Sequence, residues 1–311
     1  MDTVIVDLME RIKLWISAFR LRTLPLSVSG IIIGACFAYY NGFFNSTIFI
    51  LTLLATISLQ VLSNLANDYG DGVKGTDSDD RIGPERAIQS GKITPDEMFS
   101  AIRINILIVI LFVFLIVYTS FGSQHFLYAM LFFALGIISV FAAIKYTIGD
   151  SAYGYRGLGD VMVFIFFGLL SVIGTYFLYA KQLDHMLFLP ACAIGLLSTG
   201  VLNLNNMRDI ESDISANKIT VAVKLGLKKA KVYHTILVVG AIALSLLFGI
   251  LYYRSITNFI FVIAYIPLII HLTVVLKAKE PKSLDPQLKV LALSTFLLAI
   301  LLGIGQILHI I

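Results

Sequence analysis

The chain has 311 residues, 58% hydrophobic and 14% charged, with a mean hydropathy of +0.91. Soluble domains carry about 25% charged residues and lack repeated apolar runs of about 20 residues, so a water-soluble globular domain is excluded. The net charge of +4 is informative only through its placement, and neither a nucleic-acid partner nor an obligate protein partner is expected.

Residues 3–20 (TVIVDLMERIKLWISAFR) space Val4, Leu8, Ile12, Trp15 and Phe19 along one helical face. That pattern predicts an interfacial helix anchored by the only tryptophan. Charged residues recur up to Arg22 with no short apolar core before them, so no cleavable signal is expected. Nine apolar runs follow, at about 24–42, 47–66, 98–121, 126–144, 159–180, 186–204, 232–253, 258–276 and 288–310. Each approaches the roughly 20 residues that a helix rising ~1.5 Å per residue needs to cross a ~30 Å hydrocarbon core. The expected architecture is all-α: a polytopic membrane protein forming one integral-membrane domain over residues 1–311.

Threading these runs with the N-terminus inside puts Arg11, Lys13, Arg20 and Arg22 in the cytoplasm. The same side receives Lys74, Arg81, Arg86, Lys92, Arg103, Lys145 and Arg156, and the basic residues of 208–231 and 277–289. Only Lys181 and Arg254 fall outside. By the positive-inside rule this predicts an inner-membrane protein with a cytoplasmic N-terminus and an external C-terminus. Outer connections are short, whereas 67–97, 145–158 and 205–231 are long, polar and cytoplasmic, which places the function there. Cys36 and Cys192 lie inside apolar runs, so no disulfide framework is expected. The five histidines show no paired ligand spacing and are read as packing or interface residues.

The second run ends in NLANDYGDGVKGTDSDD (64–80), where Asn64 and Asp68 stand four apart. Asn205, Asp209 and Asp213 repeat that spacing at the end of the sixth run. Residues four apart share a helical face, so each set presents a cluster of oxygens. The two runs are an even number of spans apart, so both clusters point to one side, unlike an inverted transporter repeat. Two four-helix pseudo-repeats plus a ninth helix, with the clusters facing across a central cavity open to lipid, is the arrangement expected.

A solvated turn accounts for Gly70, Gly72 and Gly75 but not for acids in helical register or for their recurrence. A calcium loop needs acids at alternate positions and a glutamate at the twelfth, and neither Asp68 nor Asp77 starts such a register. No Walker-type phosphate loop is present. Magnesium fits better, since it takes one or two carboxylates while phosphate oxygens complete its shell. Carboxylates about 4 Å apart repel by about 4 kcal/mol at an effective dielectric near 20, and a bound metal-diphosphate relieves this. Lys74, Arg81, Arg86, Lys145, Arg208 and Lys218 are the cations available for the outer phosphate oxygens.

These clusters resemble the aspartate-rich motifs of the UbiA superfamily of intramembrane prenyltransferases. The stretches 67–93, 145–168 (KYTIGDSAYGYRGLGDVMVFIFFG) and 203–226 (NLNNMRDIESDISANKITVAVKLG) look like the branch that prenylates 1,4-dihydroxy-2-naphthoate in menaquinone synthesis. Residues 20–27 (RLRTLPLS) are similar to the family's lead into its first span. The resemblance implies nine helices, Mg²⁺, a polyprenyl diphosphate and an aromatic acceptor. It implies metal ligands at Asn64, Asp68, Asp71, Asn205, Asp209 and Asp213. By the same resemblance Arg20, Asn67, Lys145, Tyr146, Tyr153, Arg156 and Asp160 belong to the substrate site. The sequence departs from the family at Gly75, where a third aspartate often stands, and at Ala152 and Asn217, where proline and glycine are usual.

The reaction implied is ionisation of the diphosphate, shielding of the allylic cation from water, and attack by the acceptor ring with loss of carbon dioxide. Tyr146, Tyr153 and Phe164 are candidates to face the cation. Another acceptor, such as 4-hydroxybenzoate, is the alternative within the superfamily. A cation transporter would place carboxylates near mid-membrane in both repeats, and a phosphatidyl-alcohol transferase would carry Ala-Arg after the first Asp-Gly; neither pattern occurs.

Overall fold

The computed structural model describes residues 2–75 and 86–308. Arg81, Asp77, Asp79 and Asp80 lie outside the described residues. Helix α1 (Asp2–Phe19) turns at Arg20 into α2 (Leu24–Tyr40). There follow α3 (Ser46–Lys74), α4 (Pro95–Phe121), α5 (Phe126–Lys145), α6 (Gly159–Ala180) and α7 (His185–Arg208). A short α8 (Ile210–Ser215) precedes α9 (Val221–Leu251), α10 (Ile256–Lys277) and α11 (Pro281–Ile307). Among the described residues nine helices are long and apolar enough to cross a bilayer, and none of these residues forms a strand. All nine expected spans are present.

Local chemistry sets the ends. Asn45 caps α3 by accepting from Thr47 N and Ile48 N, and Thr94 with Glu97 forms a capping box on α4 behind Pro95. One departure from the expected boundaries is α3, which runs to Lys74 rather than to 66 and stops at Gly75 in the left-handed region (φ 68°). Asp68 and Asp71 are therefore helical residues. Gly70 and Gly72, expected in a turn, lie inside the same helix. A Cβ on Gly70 would come within 2.9 Å of the Thr147 carbonyl carbon, and one on Gly72 within 2.7 Å of Ile88 Cγ2. They are glycines because two loops pack flat against the helix.

Helix α7 is the most enclosed span and packs against α6, α9 and α11; α2 lies against α11, so the first and last spans meet. Close crossings use small residues, as at Gly168, where a Cβ would stand 2.6 Å from Gly195 Cα. The middle of α6, Phe164–Gly174, winds as a π-helix. Such widening is frequent at functional sites, and here several of its residues turn toward the central cavity.

One expectation changes. Trp15 packs half-buried with Phe19 against the cluster around Leu62 and Leu65, while Met9, Ile12 and Ile16 are exposed; the side chains of Val4 and Leu8 lie outside those described. The stripe containing Ile12 and Trp15 is thus split between two faces. Two of the histidines pack together: His234 Nε2 and His271 Nε2 lie 2.9 Å apart, fully buried, with His271 Nδ1 2.9 Å from Gln287 Oε1. Partners 37 residues apart leave no sequence spacing to read.

Candidate active site

Thr52, Ala55, Thr56, Leu59, Gln60, Ser63, Asn64, Asn67 and Asp71 recur every three or four residues on α3 and form one wall of a cavity of about 670 Å³. From Thr52 to Asp71 that wall is ~28 Å long, close to the thickness of a hydrocarbon core. Its deep part is apolar, lined by Leu26, Ile31, Val113, Ile116, Phe132, Phe167, Leu170 and Leu178. Its mouth is polar: Arg20, Asn64, Asn67, Asp71, Arg86, Tyr146, Tyr153, Asn205, Arg208 and Lys218 all border it. Both aspartate motifs reach the same end of the bundle.

The first motif is held by the loop that follows it. Asp68 is buried, its carboxylate accepting from Ala87 N at 3.2 Å and Ile88 N at 3.5 Å. Asp71 takes Arg86 Nη1 on one oxygen at 2.5 Å and the Tyr155 hydroxyl on the other at 2.6 Å. Arg86 also donates to the Asn67 carbonyl, and Thr147 donates to Asn67 Oδ1. Asn64 donates its amide to the Phe19 carbonyl at 2.9 Å and accepts from Gln60 on its oxygen at 3.3 Å.

The second motif sits at a break. Helix α7 ends at Arg208, Asp209 leaves helical geometry (φ −97°, ψ 17°), and α8 resumes at Ile210. Arg208, 2% exposed, grips Asp209 through Nε (2.8 Å) and Nη2 (2.6 Å). It also reaches Asn205 Oδ1 (2.9 Å) and Asp285 Oδ1 (2.5 Å). Asp213 lies 3.3 Å from Lys218 Nζ, and its second oxygen is buried without a hydrogen-bond partner. Burial raises the Asp213 carboxyl to about 6; Lys218 opposes the shift and Asp209 adds to it.

Between the motifs, the rings of Tyr146 and Tyr153 meet edge-on at 5.3 Å. Burial holds both phenols well above the ordinary tyrosine range, so both are neutral. Tyr153 donates to the Ala142 carbonyl at 2.8 Å. Gly154 must be glycine, because a Cβ there would lie 2.6 Å from the Tyr146 carbonyl oxygen.

The structure does not bring every expected residue to the cavity: of the four motif aspartates Asp71 borders it, while Asp68, Asp209 and Asp213 are buried and absent from its wall. Lys74 donates to the carbonyls of Thr147 and Gly149 and, with Arg156, lines a separate outer pocket alongside Asp150, Tyr155 and Asn217. Lys145 Nζ lies 6.0 Å from the Phe141 ring centroid and is absent from the cavity wall. Asp160 is buried and accepts from Tyr233 at 3.0 Å. Phe164 packs on Gly195, and Phe166 and Phe167 face the cavity in its place. The π-helical register accounts for that exchange. Sequence reading missed Tyr155, Gln60, Asp285 and Lys289. Asp285 stood just ahead of the expected last span, in a stretch scanned only for positive charge.

The donor set suits a hard cation. It consists of carboxylate and amide oxygens, and one buried oxygen of Asp213 has no protein partner. No group of three or more His, Cys, Asp or Glu side chains converges as a closed cage among the described residues. That is the arrangement for a cation that draws much of its shell from phosphate and water.

Residues 27–304 match the model of the UbiA prenyltransferase family. The chain is 42% identical over 298 residues to the 1,4-dihydroxy-2-naphthoate octaprenyltransferase of Haemophilus influenzae, covering 95% of this chain and 96% of that one. Its fold is similar to that of a UbiA homologue from Aeropyrum pernix, solved in the apo state (TM-score 0.70, 17% identity, 94% of this chain and 99% of that one). It is also similar to a UbiA homologue from Archaeoglobus fulgidus solved with GPP and Mg²⁺ (TM-score 0.60, 14% identity, 92% and 99%). With nine membrane-length helices among the described residues and a match over most of its length, the chain is an integral membrane protein and belongs to the UbiA prenyltransferase family.

Proposed function

We propose that this protein transfers the prenyl group of a polyprenyl diphosphate to 1,4-dihydroxy-2-naphthoate, with loss of carbon dioxide and diphosphate. The observation that carries the reading is the convergence of both motifs on the polar mouth of a deep apolar cavity, where Asn64, Asn67 and Asp71 of the first and Asn205 and Arg208 of the second line the wall. The name of the Haemophilus influenzae relative supports the acceptor, and the ligands of the Archaeoglobus fulgidus structure support the donor and metal. Asp68, Asp71, Asp209 and Asp213, with the amide oxygens of Asn64 and Asn205, would hold Mg²⁺. When bound, the metal neutralises the leaving diphosphate and so favours ionisation of the allylic carbon–oxygen bond.

Arg86 and Lys218 flank the same mouth and take the outer phosphate oxygens. The bond's electron pair leaves with diphosphate. Tyr146 and Tyr153, both neutral, offer π faces to the allylic cation. The apolar depth dissolves the isoprenoid tail and keeps water from that cation. The acceptor ring forms the new carbon–carbon bond at its carboxylate-bearing carbon, which then releases carbon dioxide. Lys145, outside the cavity wall, is not the cation for that carboxylate in this reading; Lys289, exposed on the cavity wall of α11, takes the role. The motifs face the cytoplasm in the inner membrane, with the C-terminus outside, and the whole chain works as one domain.

The test is transfer by purified protein in lipid, with 1,4-dihydroxy-2-naphthoate and 4-hydroxybenzoate compared. The naphthoate should be prenylated with release of carbon dioxide, and the benzoate at least about a hundredfold less efficiently, or about 2.7 kcal/mol. Equal use of both would refute the acceptor assignment; no transfer to either would refute the reaction.

A further inference from the structure

Tyr155 lies within the 145–168 stretch but was not among the residues expected at the site, yet Asp71, Lys74 and Lys218 all meet on it. Its hydroxyl donates to Asp71 Oδ1 at 2.6 Å, opposite Arg86 on the other oxygen. Lys74 Nζ stands 4.2 Å from its ring centroid and Lys218 Nζ 5.7 Å from it. Its carbonyl accepts from Ile219 N at 3.1 Å, fastening the middle loop to the segment after the second motif. The same residue borders the outer pocket that contains Lys74 and Arg156. No other tyrosine among the described residues combines a carboxylate on its hydroxyl with two ammonium groups near its ring.

We infer that Tyr155 is a positioning residue for the metal-diphosphate site, setting the orientation of Asp71 through its phenol and the placement of Lys74 and Lys218 through its ring. The inference rests on the function proposed above. A hydrogen bond to a carboxylate is strengthened by the charge and fixes which lone pairs remain available to a cation. An aromatic face attracts ammonium groups. Lys74 also donates to the carbonyls of Thr147 and Gly149, and Lys218 lies 3.3 Å from Asp213, so the ring adds to contacts that already hold each ammonium. Tyr155 touches no reacting atom in this scheme; it acts through Asp71 and the two lysines.

The experiment titrates purified protein in lipid nanodiscs with Mg²⁺ and inorganic diphosphate, by calorimetry and without a prenyl donor. Tyr155→Phe keeps the ring and removes the phenol, and should weaken binding of Mg²⁺-diphosphate about tenfold. Tyr155→Leu removes the π face as well and should weaken it about tenfold more. In turnover, Tyr155→Phe should raise the half-saturating Mg²⁺ and the donor KM while the acceptor KM moves less than about twofold, a split that general loosening of the loop would not produce. Should the leucine variant fail to fold, the phenylalanine variant decides alone. Wild-type affinity in Tyr155→Phe, or an acceptor KM that rises as much as the donor KM, overturns the inference. If the unsubstituted protein binds no Mg²⁺-diphosphate, the proposed function fails, and the inference fails with it.

Discussion

The two acidic clusters share a four-residue spacing and are built differently. Around Asp68 and Asp71 the helix is continuous, and the following loop supplies backbone amides and Arg86 to the carboxylates. Around Asp209 the helix breaks, one buried arginine binds three side chains, and Asp213 keeps an oxygen with no partner. The first cluster is braced from outside its helix, the second from within. A repeated sequence motif therefore does not imply a repeated electrostatic environment: the first half is set for orientation, and the second retains an oxygen ready for a cation.

The largest effect should come from removing a carboxylate charge on either side. Asp68→Asn and Asp209→Asn should each lower kcat about a thousandfold with expression intact. An effect confined to one cluster would break the picture of a site shared across the cavity. Arginine removal should separate the clusters. Arg208→Met leaves Asp209 and Asp285 without their guanidinium, and breaking a buried pair costs about 3–5 kcal/mol. Arg86→Met leaves Asp71 its bond to Tyr155 and should destabilise less. Melting of the two variants in detergent measures the difference, and equal melting points would contradict it.

A smaller effect should appear with pH. The Asp213 carboxyl, raised to about 6 by burial, is protonated below that value and loses the charge that a cation needs. Affinity for Mg²⁺ should therefore fall as pH drops through about 6 and level off above about 7. Between pH 7 and pH 5 the ionised fraction of such a group falls about tenfold, and half-saturating Mg²⁺ should rise by a similar factor. Asp213→Asn should bind more weakly throughout and show a flatter profile. An unchanged slope in that variant would assign the titration elsewhere.

Most of the architecture was legible because its causes are local. Nine apolar runs near 20 residues and the side bias of lysine and arginine fix the number of spans and the side expected to carry the motifs. The acids on α3 and α7 were legible for the same reason, since helical spacing is a property of neighbours. What escaped depends on tertiary approach. Gly70 and Gly72 are typical turn residues, and only the positions of Thr147 and Ile88 make them helix-packing residues. Lys145, the last residue of α5, and Arg156, in the loop that follows, occupy motif positions but are absent from the cavity wall. The His234–His271 contact and the pairing of Arg208 with Asp285 join residues 37 and 77 positions apart, beyond any periodicity.

The finest test of the difference between clusters lies in the two asparagines that occupy matching positions, Asn64 and Asn205. Asn64 donates to the Phe19 carbonyl, which ties α3 to the end of α1 and turns its oxygen toward Gln60 and the cavity wall. An aspartate there cannot donate and would set a negative oxygen against a carbonyl. Asn205 instead accepts from Arg208, a contact that an aspartate keeps and strengthens through charge. Asn64→Asp should therefore lower turnover about fivefold, or about 1 kcal/mol, the net worth of one hydrogen bond. Asn205→Asp should stay within about twofold of the unsubstituted protein. Steady-state rates at saturating Mg²⁺ resolve the two. Equal losses would mean that the asparagines act only as matched oxygen ligands, and that the bracing of each cluster has no bearing on how its residues can be replaced.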